Sequence, residues 1–170
     1  MADTPNGPWG HVHCRRATPA DASAACSMVL RCSAESLYGR FLTVVPPDTA
    51  ASMVVDSLTA ETAIWWIAEV GRVVIAMGAT HLIDNGAAEI SLLVEDAWQR
   101  RGVASALLPH LVADARACHA PQIWATALGE RMPIIRKLAR GVGGTLQVSL
   151  SGGIAEMTAE LPASCARRAS

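Results

Sequence analysis

The part of the sequence that constrains the fold most is the stretch that joins an apolar strand to a helix near the middle of the chain. The strand, residues 90–94, ends at two carboxylates, and the helix begins near Gly102. The first turn of a helix leaves backbone N–H groups without partners, and the helix dipole makes that end positive. Gly102 and Ala104 let a ligand approach the backbone closely, and Arg100 and Arg101 add positive charge. The stretch therefore predicts a strand–loop–helix unit that binds a phosphate group.

Two other phosphate-binding patterns do not fit this stretch. A dinucleotide-binding fingerprint needs a third glycine where Leu107 stands and an acidic residue about 20 positions later. A P-loop needs Gly-Lys followed by Ser or Thr, which the sequence lacks. The plain alternative is an ordinary strand-to-helix loop whose arginines lie in solvent.

The loop contains Gln99-Arg100-Arg101-Gly102-Val103-Ala104, which resembles the Q/R-x-x-G-x-G/A signature of the GNAT family of N-acetyltransferases. In that family the signature binds the pyrophosphate of acetyl-coenzyme A (acetyl-CoA). Its flanks, Trp98 and Ala106-Leu107-Leu108, resemble the bacterial protein-acetyltransferase-like branch. That branch also has a segment over the acceptor entrance, S-x-E-S-x-Y-x-R-F, which is similar to Ser33-Ala34-Glu35-Ser36-Leu37-Tyr38-Gly39-Arg40-Phe41. The resemblance covers about residues 11–161.

Hydrophobic periodicity and turn residues predict the remaining elements. The predicted strands are residues 11–17, 64–70, 73–83, 88–94, 122–128, 145–150 and 154–161. The predicted helices are residues 18–33, 47–58, 102–119 and 130–140, with a short helix around Tyr38 and Phe41. This order matches the GNAT fold. The resemblance therefore implies an α/β (α+β) protein with a mixed, mostly antiparallel sheet of about seven strands, splayed in the middle and flanked by about four helices.

Size and composition indicate one domain. With 170 residues, 51% of them hydrophobic, the chain is long enough for a full core. We expect the domain over residues 11–161, between an N-terminal tail, 1–10, and a C-terminal tail, 162–170. No apolar run approaches the roughly 18 residues of a membrane span, and the N-terminus lacks the features of a signal peptide. Five cysteines without C-x-x-C spacing argue against disulfides and zinc, so we expect a cytoplasmic protein without a metal.

The resemblance implies where acetyl-CoA binds. The strand that carries Val94 parts from the strand that carries Trp124, and the pantetheine arm lies in the opening. Backbone groups of Leu92, Leu93 and Val94 pair with the pantetheine amides, and the N–H of Val94 or a neighbour holds the thioester oxygen. The pyrophosphate is held by the loop and the first helical turn, namely Gln99, Arg100, Arg101, Gly102, Val103, Ala104 and Ser105.

Acetyl transfer to an amine requires a base that deprotonates the acceptor. Glu89, early in the splayed strand, resembles the glutamate that family members use as this base, and Glu69 and His81 are the alternatives. The family's usual acid, a tyrosine on the helix after the Trp124 strand, has no counterpart here. We expect either a bound water in its place or slow catalysis. Arg131 stands where the branch has an asparagine that contacts the cofactor's arm.

The expected activity is direct acetyl transfer from acetyl-CoA to a primary amine, with a protein lysine as the favoured acceptor. The acceptor meets Tyr38 and Arg40 at the entrance. The alternatives are a small amine, such as an aminoglycoside or a polyamine, and a catalytically weak acyl-CoA-binding module that regulates a partner. We expect a monomer or homodimer, and neither a nucleic acid nor a membrane as partner.

The distribution of charge also bears on the acceptor. The formal net charge of −1 gives no footprint for nucleic acid. Residues 1–96 carry 11 acidic and 5 basic side chains, whereas residues 97–170 carry 4 acidic and 9 basic ones, which gives charges of −6 and +5. This polarity predicts a basic acceptor on the earlier half and a polyanion on the later half.

Overall fold

The computed structural model describes residues 11–60, 62–129, 136, 140 and 145–161. These residues form seven strands and four helices. The elements are β1 (His13–Arg16), α1 (Ala22–Leu30), α2 (Ala34–Phe41), α3 (Pro47–Thr59), β2 (Ile64–Val70), β3 (Val73–Leu82), β4 (Ala88–Val94), α4 (Val103–Ala117), β5 (Gln122–Leu128), β6 (Leu146–Ser151) and β7 (Ile154–Glu160). The strands make one sheet in the order β1-β2-β3-β4-β5-β7-β6.

This architecture confirms the predicted fold class, while several element boundaries differ from the prediction. β1 is shorter than predicted because it pairs with β2 only from His13 to Arg16. The predicted helix from residue 18 begins with a 3-10 turn, in which the Thr18 N–H donates to Asp21 Oδ2 at 2.8 Å. It ends earlier than predicted because Ser33 caps α2, where its side chain accepts a hydrogen bond from the Ser36 N–H.

The predicted helix over residues 130–140 falls largely outside the described residues, as do both predicted tails. Within it, Arg136 and Arg140 are described and both are helical.

The sheet changes direction at β4 and β5, which are its one parallel pair among the described strands. Only Ala88↔Ile123 and Glu89↔Trp124 are in register. Beyond them β4 continues to Val94, paired with β3 alone. The two strands therefore separate and leave an opening, here called the β4–β5 gap, as the splayed sheet predicts.

Helices cover both faces of the sheet. Helices α1, α2 and α3 pack on one face around Met28, Leu37 and Met77. Helix α4 packs on the other through Leu108 and Leu111, which touch residues on both sides of the β4–β5 gap. Within the described ranges, no helix is long and apolar enough to cross a membrane.

Candidate active site

A cavity of about 750 Å³ opens at the β4–β5 gap. Its wall is formed by the end of α2, the length of β4, the loop into α4 and the middle of β5, with residues 39–42, 89–94, 98–100, 102–105 and 125–127 in contact with it. Ser36 and Leu108 complete the wall. The cavity therefore joins the predicted acceptor entrance to the loop predicted to bind phosphate, residues 99–105, here called the phosphate loop.

Most of the site residues expected from the sequence line this one cavity. They are Arg40, Glu89, Leu92, Leu93, Val94, Gln99, Arg100, Gly102, Val103, Ala104 and Ser105. Two are not part of its wall. Tyr38 is 40% exposed, and Arg101 places its guanidinium 5.4 Å from the centre of the Trp98 ring.

Several lining residues were missed by the sequence analysis. Ser91 carries no motif signal, and Ser36 belongs to the S-x-E-S-x-Y-x-R-F segment but was given no role; their contacts are with residues more than fifty positions away in sequence. Trp98 was noted only as a flank, and it lines the cavity. Thr126 could have been found, since it lies on the strand predicted to border the gap.

The backbone of β4 presents alternate residues to the gap. The Glu95 N–H donates to Ile75 O at 3.0 Å, which continues the β3–β4 ladder. Hydrogen-bonded pairs alternate along an antiparallel ladder, so Leu93 directs its backbone groups to β3. Leu92 and Val94 direct theirs away from β3, toward the gap. An unpaired backbone edge of this kind can pair with an extended ligand that carries amides.

The phosphate loop ends in a helix start that no side chain caps. Gly102 is the N-cap of α4 and has φ of +85°, a conformation that favours glycine. A Cβ at Gly102 would meet no heavy atom within 4 Å, so the space above it is open. The first three helical N–H groups, those of Val103, Ala104 and Ser105, belong to residues of the cavity wall. The first turn holds no acidic residue, so its field is positive.

Hydrogen bonds tie the phosphate loop to α2. The Gln99 side-chain amide donates to Ser36 Oγ at 2.6 Å and to the Val94 carbonyl at 3.1 Å. The Ser36 hydroxyl in turn donates to Asp96 at 2.9 Å. Asp96 also accepts from the Ser33 N–H at 2.8 Å and from its hydroxyl at 2.5 Å. Helix α2 and the phosphate loop are therefore held to each other.

The carboxylate of Asp96 favours its charged form in this network. Burial raises the pKa of Asp96, but the hydrogen bonds from Ser33 and Ser36 lower it more, so the pKa lies below its usual value. A second link holds the end of α1 to the residue after β4, since Arg31, the C-cap of α1, forms an ion pair with Glu95 at 2.8 Å.

The acceptor end of the cavity holds Glu89, which lies opposite His81 in the β3–β4 register. Opposite residues project to the same face of a sheet, so the two side chains are neighbours. Burial lowers the pKa of His81, Glu89 opposes this shift and Arg40 adds to it. His81 is therefore neutral at pH 7. It packs edge-on against Trp65, with ring centres 6.2 Å apart, and does not line the cavity.

The third candidate base, Glu69, lies elsewhere. It pairs with His13 across β1 and β2 and contacts Arg15 at 3.3 Å, and Arg15 also binds Asp21 at 2.7 Å. This network is outside the cavity wall. Of the three candidates, Glu89 alone lines the cavity.

The group that protonates the leaving thiolate is not a tyrosine of the described cavity wall. Among the described lining residues, hydroxyl groups come only from Ser36, Ser91, Ser105 and Thr126. Arg131, the departure from the branch pattern, lies outside the described residues. The described residues also contain no group of three or more metal-binding side chains.

Comparison with known proteins identifies the family of this chain. The model of the acetyltransferase (GNAT) family matches residues 33–137, which is more than half of the chain. The GNAT domain of PAT from S. lividans is similar, with 29% identity, a TM-score of 0.76 and coverage of 94% of this chain and 96% of that one. No curated protein matches the sequence significantly.

Two further structures contain acetyl-CoA. The putative acetyltransferase yncA from Salmonella typhimurium has 20% identity and a TM-score of 0.64, over 94% of this chain and 99% of that one. A phosphinothricin acetyltransferase from Sinorhizobium meliloti has 22% identity and a TM-score of 0.68, over 88% of each chain. Both show the same fold. The chain belongs to the GNAT acetyltransferase family and is an N-acetyltransferase.

Proposed function

We propose that the protein transfers an acetyl group directly from acetyl-CoA to a primary amine, and that its favoured acceptor is a protein lysine. The observation that carries the proposal is the single cavity, which joins an open helix N-terminus and an unpaired strand edge at one end to Glu89 at the other. A phosphate-bearing cofactor and a reacting amine can therefore meet inside it.

In this proposal the 99–105 loop binds the pyrophosphate. The amides of Val103, Ala104 and Ser105 donate to phosphate oxygens, and Arg100 and Arg101 add positive charge. Gln99 contributes by position, since its side chain already holds the loop to Ser36 and Val94. The position of Gly102 at the N-cap supports this assignment.

The pantetheine arm then runs along β4 toward Glu89. Its amides pair with Leu92 and Val94, while Leu93 contributes packing because its backbone faces β3. Of the two N–H groups that face the gap, that of Leu92 is nearer Glu89. We therefore assign the thioester oxygen to Leu92 and an amide of the arm to Val94.

The chemical step needs the amine nitrogen as a nucleophile. Glu89 accepts a proton from the ammonium, directly or through water, and the nitrogen lone pair attacks the thioester carbon. The C–S bond breaks as the amide bond forms, Glu89 releases its proton to solvent, the attacking nitrogen loses its second proton to water, and the departing thiolate takes up a proton. In the absence of a lining tyrosine, we assign this proton to water or a hydroxyl of the wall.

The protein-lysine acceptor rests on the similarity of residues 33–41 and of Trp98 to the bacterial protein-acetyltransferase-like branch. A small amine is the second candidate. It is supported by the phosphinothricin acetyltransferase among the similar structures. The domain boundaries at residues 11 and 161, the cytoplasmic location and a monomer or homodimer stay predictions.

The test is mass spectrometry of acetylated products after incubation with acetyl-CoA and a panel of lysine peptides and small amines. Mass detection is chosen because the five cysteines of the chain would react with a thiol-detecting dye. Calorimetry of acetyl-CoA binding accompanies it. Product with any amine supports the enzyme. Binding without product supports the regulatory module. If neither binding nor product is observed, the proposal fails.

A further inference from the structure

The side chain of Arg40 was expected at the acceptor entrance, but it is part of the cavity wall. Its Nη2 donates to Ser91 Oγ at 2.9 Å, and its guanidinium lies 5.1 Å from the centre of the Phe41 ring. A guanidinium has five N–H donors, and the hydrogen bond to Ser91 uses one. In the described part of the chain, no carboxylate forms an ion pair with Arg40.

A partly buried cation without an ion pair is stabilised by an anionic ligand. Moving a charged group out of water is costly unless the charge is paired, and arginine does not escape the cost by losing its proton. Burial lowers the pKa of Arg40, and the Glu89 carboxylate opposes that shift. Glu89 is thus close enough to interact with Arg40 without forming an ion pair, and both side chains keep hydrogen-bonding capacity for a ligand.

The placement of Glu89 and Ser91 on one strand suits a small zwitterionic group. Ser91, which holds Arg40, is two residues after Glu89 on the same face of β4. Residues two apart on a strand are separated by roughly 7 Å. When the amine of an acceptor binds at Glu89, the Arg40 guanidinium therefore lies close to the part of the acceptor that adjoins the amine.

We propose that the acceptor carries a carboxylate close in space to its reacting amine and that Arg40 binds this carboxylate. This inference rests on the proposed acetyltransferase function and narrows its acceptor class. The carboxylate can come from a free amino acid or from an acidic residue next to a lysine in a peptide. The net charge of residues 1–96 predicts a basic acceptor. The charged side chains at the site refine that expectation to an acceptor with both an amine and a carboxylate.

The experiment compares acceptors that differ only in this charge. One pair is L-leucine and L-leucinamide, and the other is a lysine peptide with glutamate or glutamine next to the lysine. The assays run at pH 7, where the less basic amine of the amide is more often uncharged, so faster acetylation of L-leucine does not follow from a larger supply of uncharged amine. Each is assayed with the wild-type protein, Arg40→Gln and Arg40→Lys. Arg72→Gln, in the exposed turn between β2 and β3, controls for loss of one positive charge.

The wild type is expected to favour the carboxylate member of at least one pair by tenfold or more in kcat/KM, a factor of the size that charge-assisted hydrogen bonds produce. Arg40→Gln should reduce that preference to less than twofold, mostly through KM, and Arg40→Lys should retain part of it. Which pair responds identifies the source of the carboxylate. Arg72→Gln should keep the wild-type preference.

Equal rates for both members of both pairs in the wild type would overturn the inference. So would an Arg40→Gln variant that slows both members of a pair equally, because Arg40 would then only position Ser91 or Glu89. In both outcomes acetylated product still supports the proposed function. Absence of product with every acceptor, in a protein whose circular dichroism is native, removes the proposed function and this inference together.

Discussion

The two ends of β4 differ in how many strands pair with them. At the start, Ala88 and Glu89 pair with β3 on one side and β5 on the other. From Ile90 onward the strand pairs with β3 alone. Doubly paired backbone is held firmly, so the start of the strand fixes a carboxylate in place. The singly paired end keeps the backbone N–H groups of Leu92 and Val94 for a ligand, while the Val94 carbonyl accepts from Gln99.

This difference teaches how one strand can serve two purposes. A general base needs a fixed position within hydrogen-bond reach of its proton. A cofactor arm with amides needs an unpaired edge. Separating β4 from β5 after Glu89 meets both needs, and each prediction below tests one end against the other.

The largest effect is expected at the phosphate loop beyond the singly paired end. Gly102→Glu should reduce acetyl-CoA binding below detection in calorimetry, because it places bulk and negative charge where the pyrophosphate binds. Gly71→Glu is the matched control, since Gly71 also has a positive φ, +62°, and free space above it, in the distant β2–β3 turn. If the two variants bind acetyl-CoA equally well, the phosphate site has been placed wrongly.

At the doubly paired end, Glu89→Gln should lower kcat by about 10²–10⁴-fold, the range for loss of a positioned base. The affinity for acetyl-CoA should stay within a few-fold, because Glu89 lies at the far end of the arm. Glu69→Gln serves as control and should keep nearly the parent rate, since Glu69 belongs to the network with Arg15. A parent-like rate in Glu89→Gln across the pH range would remove Glu89 from the mechanism.

A stability effect is expected behind the singly paired end. Gly78 lies opposite Leu92 in the register, and a Cβ there would come within 2.8 Å of Leu111 Cδ1 and 3.0 Å of Leu92 Cδ2. Gly78→Ala should therefore lower the free energy of unfolding by about 1–3 kcal/mol, as overpacking does. Urea denaturation measures the change. An unchanged midpoint would mean that α4 shifts without cost.

The smallest effect is expected where the loop is tied to α2. Asp96→Asn should lower the free energy of unfolding by about 1 kcal/mol, comparable to the loss of a helix cap. The pKa of Asp96 is lower in the folded protein, so its contribution is present above the usual carboxyl pKa of about 4 and is lost as the pH falls below that. The difference between variant and parent should therefore shrink in acid. A difference that is independent of pH would contradict the role of the charge.

Much of the fold was predictable because its signals are local. The bounds of β2, β4 and β5 agree with the prediction, since each is an apolar, β-branched or aromatic run between turn residues. The splay was implied only by family resemblance, because strand separation is a property of two segments that are distant in sequence.

The site was predictable in its motif and less so in its connections. Glu89 and the loop at residues 99–105 were assigned from local patterns and family resemblance, and Glu89 and most of the loop line the cavity. The partners of Gln99 and Arg40, namely Ser36 and Ser91, lie 63 and 51 positions away. Which side chains meet over such separations depends on how α2 packs over β4, and no local pattern specifies that packing.

The short join between β4 and β5 also bears on how long the protein survives in a cell. Two residue pairs connect the first four strands to the last three, and α4 shares one buried cluster with residues on both sides of that line. On the proposed function, a bound acyl-CoA adds hydrogen bonds on one side of this line and occupies the start of α4. Ligand at about 100 times its Kd stabilises a fold by about 2.7 kcal/mol, which lowers the unfolded population that proteases attack. The rate at which the protein is degraded would then fall as the concentration of acyl-CoA in the cell rises.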